Sequence, residues 1–225
     1  MLANFKYSAT GSGFWISRDG WLLTNAHVVG SSASVDLCDA TGAKLTARVV
    51  KSDPVKDLAL LKVETTRTTW LPIYGGGDPP VGTPVFTAGY PKPTVQGLES
   101  KVTSGEINSH SGMRDNKDHY QCSVPIQPGN SGGALVEGTS GLCVGIVVAT
   151  LRSQSGTEVS QNVNYAIKPG VARAFVETVP EAKPLLLPAA GPKALPKAAP
   201  NANPALSNQP AIQRARECAV LILVK

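Results

Sequence analysis

A histidine, an aspartate and a serine follow one another along the chain, His27, Asp57 and Ser131, each in a polar segment that abuts an apolar run. His27 lies in GSGFWISRDGWLLTNAHVVG (11–30), Asp57 in DPVKDLALLKV (53–63) and Ser131 in QPGNSGGAL (127–135). A serine hydroxyl is a weak nucleophile at neutral pH and needs a base within hydrogen-bond reach. That base needs a partner that fixes its tautomer and stabilises the imidazolium that forms. An imidazole, with an ordinary pKa of about 6.5, suits the first role, and a carboxylate suits the second. The glycines beside Ser131 let the backbone turn so that the N–H groups of Gly129 and Ser131 meet at one spot. A donor so placed stabilises a developing oxyanion by about 3–4 kcal/mol. Taken singly, each residue is commonplace: a histidine after a strand, an aspartate in a turn, a serine among glycines. Their occurrence together, in this order, points to acyl transfer.

These residues must be positioned by β-structure. Up to residue 179 the chain reads as short strand-like runs separated by Gly, Pro, Asn and Asp: FWIS (14–17), WLLTN (21–25), SVDLCDA (34–40), KLTARVV (44–50), LALLKV (58–63), PVFTAGY (84–90), KVTSGEI (101–107), HYQCSV (119–124), LCVGIVVATL (142–151) and VNYAI (163–167). Many short strands so punctuated predict an all-β barrel or sandwich. The stretch 67–86, with PIYGGGDPP inside it, reads as a crossing between two halves. Only KPGVARAFVETV (168–179) has helical spacing, with Val171, Phe175 and Val179 on one face and Pro169 at a first helical position.

Composition removes several classes of function. Of 225 residues, 42% are apolar and 16% charged, as in an ordinary globular protein. No stretch approaches the roughly 20 apolar residues of a membrane-spanning helix, and MLANFKYSAT lacks the apolar core of a signal peptide. The net charge of +5 is concentrated at one end, with 15 Lys/Arg against 14 Asp/Glu over residues 1–179 and 6 against 2 over 180–225. A nucleic-acid binder would carry its basic face on the folded part, so no nucleic acid is expected as a partner. Cys38, Cys122, Cys143 and Cys218 form no CxxC pair, which argues against zinc, and Cys122 and Cys143 read as small buried residues. His110 and His119 beside Asp115 and Asp118 read as loop residues rather than metal ligands, and Gly75–Gly77 lacks the lysine and helix of a phosphate loop.

The tail, 180–225, has proline at 180, 184, 188, 192, 196, 200 and 204 among Ala, Leu and Lys. It is expected to be largely disordered and semi-extended. Its closing piece, AIQRARECAVLILVK, reads equally as a helix, a docking strand or a frayed end.

The segments TNAHVV, DLALL and GNSGGAL resemble the catalytic motifs of chymotrypsin-fold serine endopeptidases, and more narrowly those of the bacterial HtrA (Deg) trypsin-like type. VTSGEI (102–107) and QNVNYAIKPGVARAFV (161–176) are also similar to that group, so the resemblance covers about residues 10 to 178. It implies two six-stranded antiparallel β-barrels packed at an angle, with a site in the cleft between them. The peptidase domain would span 1–179, with one barrel at about 1–75, the other at about 84–168 and a helix at 169–179. In that frame His27 is the general base, Asp57 the orienting carboxylate and Ser131 the nucleophile, with Gly129 and Ser131 as the oxyanion hole. No metal or organic cofactor is implied. The partners would be unfolded protein or peptide substrates, the compartment periplasmic or otherwise extracytoplasmic, and an oligomer compatible with the group.

The chain also departs from that group. Asn130 stands where the digestive relatives carry an aspartate that pairs with a freed N-terminus, so order in the Gly129 turn would govern activity, with 108–118 and 152–161 as the loops that could bias it. The roughly 46 residues after the peptidase part are too few for a PDZ domain. Val148 stands where many relatives place a hydroxyl near the orienting carboxylate. Pro125, rather than an acid, stands six residues before Ser131; with Val148, Ala149, Thr150 and Asn164 it implies a small apolar specificity pocket and cleavage after Ala, Val or Leu. Two other functions remain open at this level: a catalytically silent scaffold of the same fold, and an interaction protein whose tail docks a partner or, through AVLILV, the cleft itself.

Overall fold

The computed structural model describes residues 7–148, 163–182 and 209–225. It contains two closed six-stranded barrels joined by the 63–83 segment. The first comprises β1 (Ala9–Trp15), β2 (Trp21–Thr24), β3 (Ser34–Asp39), β4 (Lys44–Asp53), β5 (Leu58–Lys62) and β12 (Ala219–Val224), in the order β1-β12-β3-β4-β5-β2. The second comprises β6 (Pro84–Gly89), β7 (Lys101–Ser109), β8 (His119–Cys122), β9 (Ala134–Glu137), β10 (Cys143–Val148) and β11 (Asn164–Ile167), in the order β10-β11-β8-β7-β6-β9. Every strand pair within the barrels is antiparallel.

Four α-helices and one 3-10 turn (Met113–Asp115) complete the described structure; the α-helices are the single turns α1 (Ala26–Val29) and α2 (Pro93–Gln96), then α3 (Pro169–Glu177) and α4 (Gln209–Cys218). Pro169 opens α3, and Phe175, Val176 and Ala172 are its buried face. Each barrel has its own interior. Trp15, Leu22, Val35, Leu37, Leu61 and Ile222 fill the first, and Tyr120, Ile107, Leu135, Val144 and Val147 fill the second. A third cluster, with Phe14, Leu23, Leu60, Phe86, Tyr90 and Phe175, lies between the barrels and welds them together.

Two strands were not among the ten sequence runs. β9 is the apolar stretch directly behind the Ser131 turn, and β12 comes from the far end of the chain. The division that puts the first barrel within about 1–75 is therefore corrected, because its sixth strand is 219–224, paired with β1 on one side and β3 on the other. The reason is burial on both faces. Val220, Ile222 and Val224 point into the first barrel, while Ala219, Leu221 and Leu223 face the inter-barrel core. A strand covered on both sides loses its polar alternation and reads only as a short apolar run. The docking of AVLILV into the cleft is corrected for the same reason, since those residues close a barrel.

The first strand is also longer than the FWIS run, seven residues instead of four, because its N-terminal half pairs with β12. Ahead of β12, α4 packs on the second barrel, with Ala211 and Ile212 against the inter-barrel core and Arg216 paired to Glu99 at 2.7 Å. The C-terminal segment thus touches both barrels.

Candidate active site

His27 sits on α1, in the turn between β2 and β3. Val28 and Val29, which follow His27 in the turn, are 3% and 0% exposed, which anchors α1 in the barrel and leaves the imidazole outside. Gly30 ends the turn with φ 56°, a conformation that favours glycine. Asp57 closes the turn between β4 and β5, itself at φ 52°, which aspartate tolerates better than most residues. The turn is braced from the first barrel by Asn25, whose Nδ2 donates to the Asp57 carbonyl at 2.9 Å.

The two side chains meet. His27 Nδ1 lies 2.8 Å from Asp57 Oδ2 and 3.0 Å from Oδ1, and the His27 backbone N–H donates to Oδ1 at 2.9 Å. The carboxylate therefore holds both the ring and the backbone of the same residue, which leaves little freedom in the ring's orientation. With Nδ1 turned toward the carboxylate, the Nε2 edge is the one available to an incoming hydroxyl. The imidazole is about half exposed and the carboxylate about a quarter, as a site open to a polypeptide requires.

Ser131 stands in the turn that leads into β9 and is 5% exposed. The turn is tight. Gly129 has φ 101°, and a Cβ there would lie 2.4 Å from the Tyr90 carbonyl; Gly132 has φ 85°, and a Cβ there would lie 2.2 Å from Thr24 Oγ1. Both positions exclude a side chain, so GNSGG is a spatial requirement and not only a flexible turn. The Pro128 carbonyl accepts from the Lys92 N–H at 3.0 Å, and the Asn130 N–H donates to the Gln127 carbonyl at 2.9 Å. Among the described residues no group accepts from the Gly129 N–H. The turn presses on the hairpin that carries His27: Ser12 N–H donates to the Ser131 carbonyl at 2.8 Å, and Gly132 packs against Thr24 and Asn25. Asp57 thus lies against His27, and the Ser131 turn lies against Ser12, Thr24 and Asn25, on the strands that lead into the His27 turn.

Asn130 is 2% exposed, with its backbone carbonyl accepting from Gly133 N–H. Pro125, Val148 and Asn164 lie on one rim of the second barrel. Asn164 pairs with Cys122 at the end of β8, Val148 with Tyr165 on β11, and Pro125 follows β8, its carbonyl taking a bond from Thr103 Oγ1. Ala149 and Thr150 lie outside the described residues, as does the 152–161 loop. The 108–118 loop contains a single 3-10 turn, Met113–Asp115, with Arg114 and Asp115 at positive φ. His110 Nε2 donates to the Pro79 carbonyl at 2.7 Å, and His119 lies on β8, with burial holding its pKa below the usual value. No group of metal-ligating side chains occurs among the described residues. All four cysteines are free thiols, and burial pushes Cys122 up to about 11 and Cys143 and Cys218 up to about 12, so none is a poised nucleophile.

Four supporting residues escaped the sequence reading: Ser12, Thr24, Asn25 and Tyr90. Their only signal is that small or polar residues stand inside otherwise apolar strands, as Ser12 does in GSGFW and Thr24-Asn25 at the end of WLLTN.

Comparison with known proteins agrees with this fold. Residues 11–146 match the family model described as trypsin-like peptidase domain. An uncharacterized protein of Sinorhizobium fredii is 32% identical over 173 residues, 75% of this chain and 27% of that protein. A probable periplasmic serine endoprotease, DegP-like, of Chlamydia trachomatis is 31% identical over 171 residues, 74% of this chain and 33% of that protein. The chain therefore spans a third or less of these two relatives. Among solved structures, the serine endoprotease from Yersinia pestis superposes with a TM-score of 0.65 at 30% identity, covering 78% of this chain and 59% of that one.

Proposed function

The chain belongs to the trypsin-like peptidase family, on the side of its HtrA (Deg) members, and from that premise we propose that it is a serine endopeptidase acting on protein substrates. In this reading Ser131 Oγ attacks the scissile carbonyl while His27 Nε2 takes its proton. The imidazolium so formed is held by Asp57, and the N–H groups of Gly129 and Ser131 bind the oxyanion. His27 then gives its proton to the leaving amine, and a water activated by the same imidazole releases the acyl group from Ser131. The observation that carries this reading is the Nδ1 contact of 2.8 Å between His27 and Asp57, together with a Gly129 N–H that finds no acceptor among the described residues.

A specificity pocket formed by Pro125, Val148, Ala149, Thr150 and Asn164 would be small and apolar and would favour Ala, Val or Leu at the cleaved position. The substrates would be unfolded chains, in keeping with quality control in an extracytoplasmic compartment such as the periplasm named for the Chlamydia relative. The test is turnover of casein and of short peptides by the protein and by Ser131→Ala, with fluorophosphonate labelling of both. Labelling and turnover that disappear with Ser131→Ala are the expected result. An intact protein that folds yet neither labels nor cleaves would make it a silent scaffold of this fold.

A further inference from the structure

The turn bearing Gly129 and Ser131 is hydrogen-bonded to the first barrel through both the side chain and the backbone of Ser12. Ser12, on β1 and 0% exposed, donates from Oγ to the Gly129 carbonyl at 2.6 Å and accepts the Tyr90 N–H on the same oxygen at 3.0 Å. Its backbone is engaged as well, with the N–H on the Ser131 carbonyl at 2.8 Å and the carbonyl taken by Thr24 Oγ1 at 2.7 Å. A hydroxyl has one proton to give. With the Tyr90 N–H already on its oxygen, that proton is directed at Gly129 O.

The consequence concerns the direction of the neighbouring N–H groups. The Gly129–Asn130 peptide is held by Ser12 through its oxygen, the Pro128–Gly129 peptide by Lys92 through its oxygen, and the Ser131 carbonyl by Ser12 N–H. With these three carbonyls anchored, the Gly129 N–H has no acceptor among the described residues. A glycine at φ 101° has many other conformations open to it, so without an anchor the turn has little reason to keep this one.

We propose that Ser12 is a positioning residue for the anion-stabilising turn, its hydroxyl holding the Gly129 carbonyl so that the Gly129 N–H stays aimed at the reacting carbonyl. This rests on the reading of Gly129 as an oxyanion donor. Ser12 touches no substrate and acts through the turn alone. The inter-barrel core supports it on the other side, where Tyr90 Oη donates to the Ala219 carbonyl at 3.4 Å.

Two measurements on the full chain test this. Amide hydrogen exchange at 129–132 is compared with and without Ser12→Ala in a Ser131→Ala background, and the rate of fluorophosphonate labelling is compared with Ser131 present. Ser12→Ala is expected to speed exchange in the turn at least about tenfold while β9 and β10 amides hold, and to slow labelling roughly ten- to hundredfold with KM for a peptide unmoved. Ser12→Cys keeps the shape with a poorer donor and should fall between, which serves if Ser12→Ala does not fold. Turn exchange at the unsubstituted rate in Ser12→Ala, or in Ser12→Cys if that is the folded variant, overturns the proposal. An intact protein that never labels defeats the peptidase reading instead, and the exchange comparison still decides the role of Ser12.

Discussion

Ser12 pairs with Leu221 across the first barrel, joining a residue near the start of the chain to one near its end. The strand that carries Leu221 closes the barrel and borders the strand that carries Ser12, so the C-terminal segment is part of the peptidase fold and not an appendage to it. All six residues of β12 are buried. Removing 209–225 would bare the edges of β1 and β3 together with the Trp15 and Leu37 side of the core. Such a truncation is expected to lose cooperative thermal unfolding and to expose apolar surface that binds a hydrophobic dye. Leu221→Ala should cost about 2–5 kcal/mol in denaturant unfolding. A truncated chain that melts like the full one would mean that β12 is dispensable.

Asp57→Asn isolates the electrostatic role of the carboxylate. Asparagine tolerates the positive φ at this position and can still accept from the His27 N–H, so the fold should be kept. The amide cannot hold the ring in the required tautomer, however, nor stabilise an imidazolium. Turnover should fall by about 10⁴, with KM nearly unchanged and the melting temperature close to that of the unsubstituted protein. Steady-state kinetics beside a thermal melt checks both halves.

Gly129→Ala and Gly132→Ala test the shape of the turn. Each places a Cβ inside van der Waals distance of fixed neighbours, the Tyr90 carbonyl in one case and Thr24 Oγ1 in the other, at a φ that alanine disfavours. Both variants should lose most turnover and label slowly. Gly132→Ala should also lose stability, since its contacts lie in the seam between barrels. Wild-type labelling by either variant would mean that the turn has more room than its contacts allow.

Acid should weaken the first barrel through Asp39. Burial alone would raise this carboxyl, but hydrogen bonds from Thr41 and Ala43 and the Arg67 guanidinium at 3.1 Å outweigh it and hold it below the usual carboxylate range. A group with a lowered folded-state pKa adds stability above its unfolded value, about 4, and loses it as pH falls through the folded value. Melting temperature should therefore drop as pH is taken from about 5 toward 2. Asp39→Asn should start lower and drop less over that range. Equal slopes for the two proteins would assign the acid sensitivity elsewhere.

The sequence by itself pointed to the enzyme class and the fold class. His27, Asp57 and Ser131 stood out as candidates because each has a distinctive local setting: an apolar pair behind the histidine, a turn before a buried strand, and glycines at positions where a Cβ collides with its neighbours. Strands with one exposed face, such as SVDLCDA, announced themselves by alternation. The tertiary structure alone decided what depends on contacts between distant parts. AVLILV carries no alternation because two cores cover it, so its place beside GSGFW could not be read from local pattern. Ser12 looked like any small residue in a strand, since what sets it apart is a carbonyl more than a hundred positions away. Local pattern records which face of an element meets water; which element it meets is decided only when the chain closes on itself.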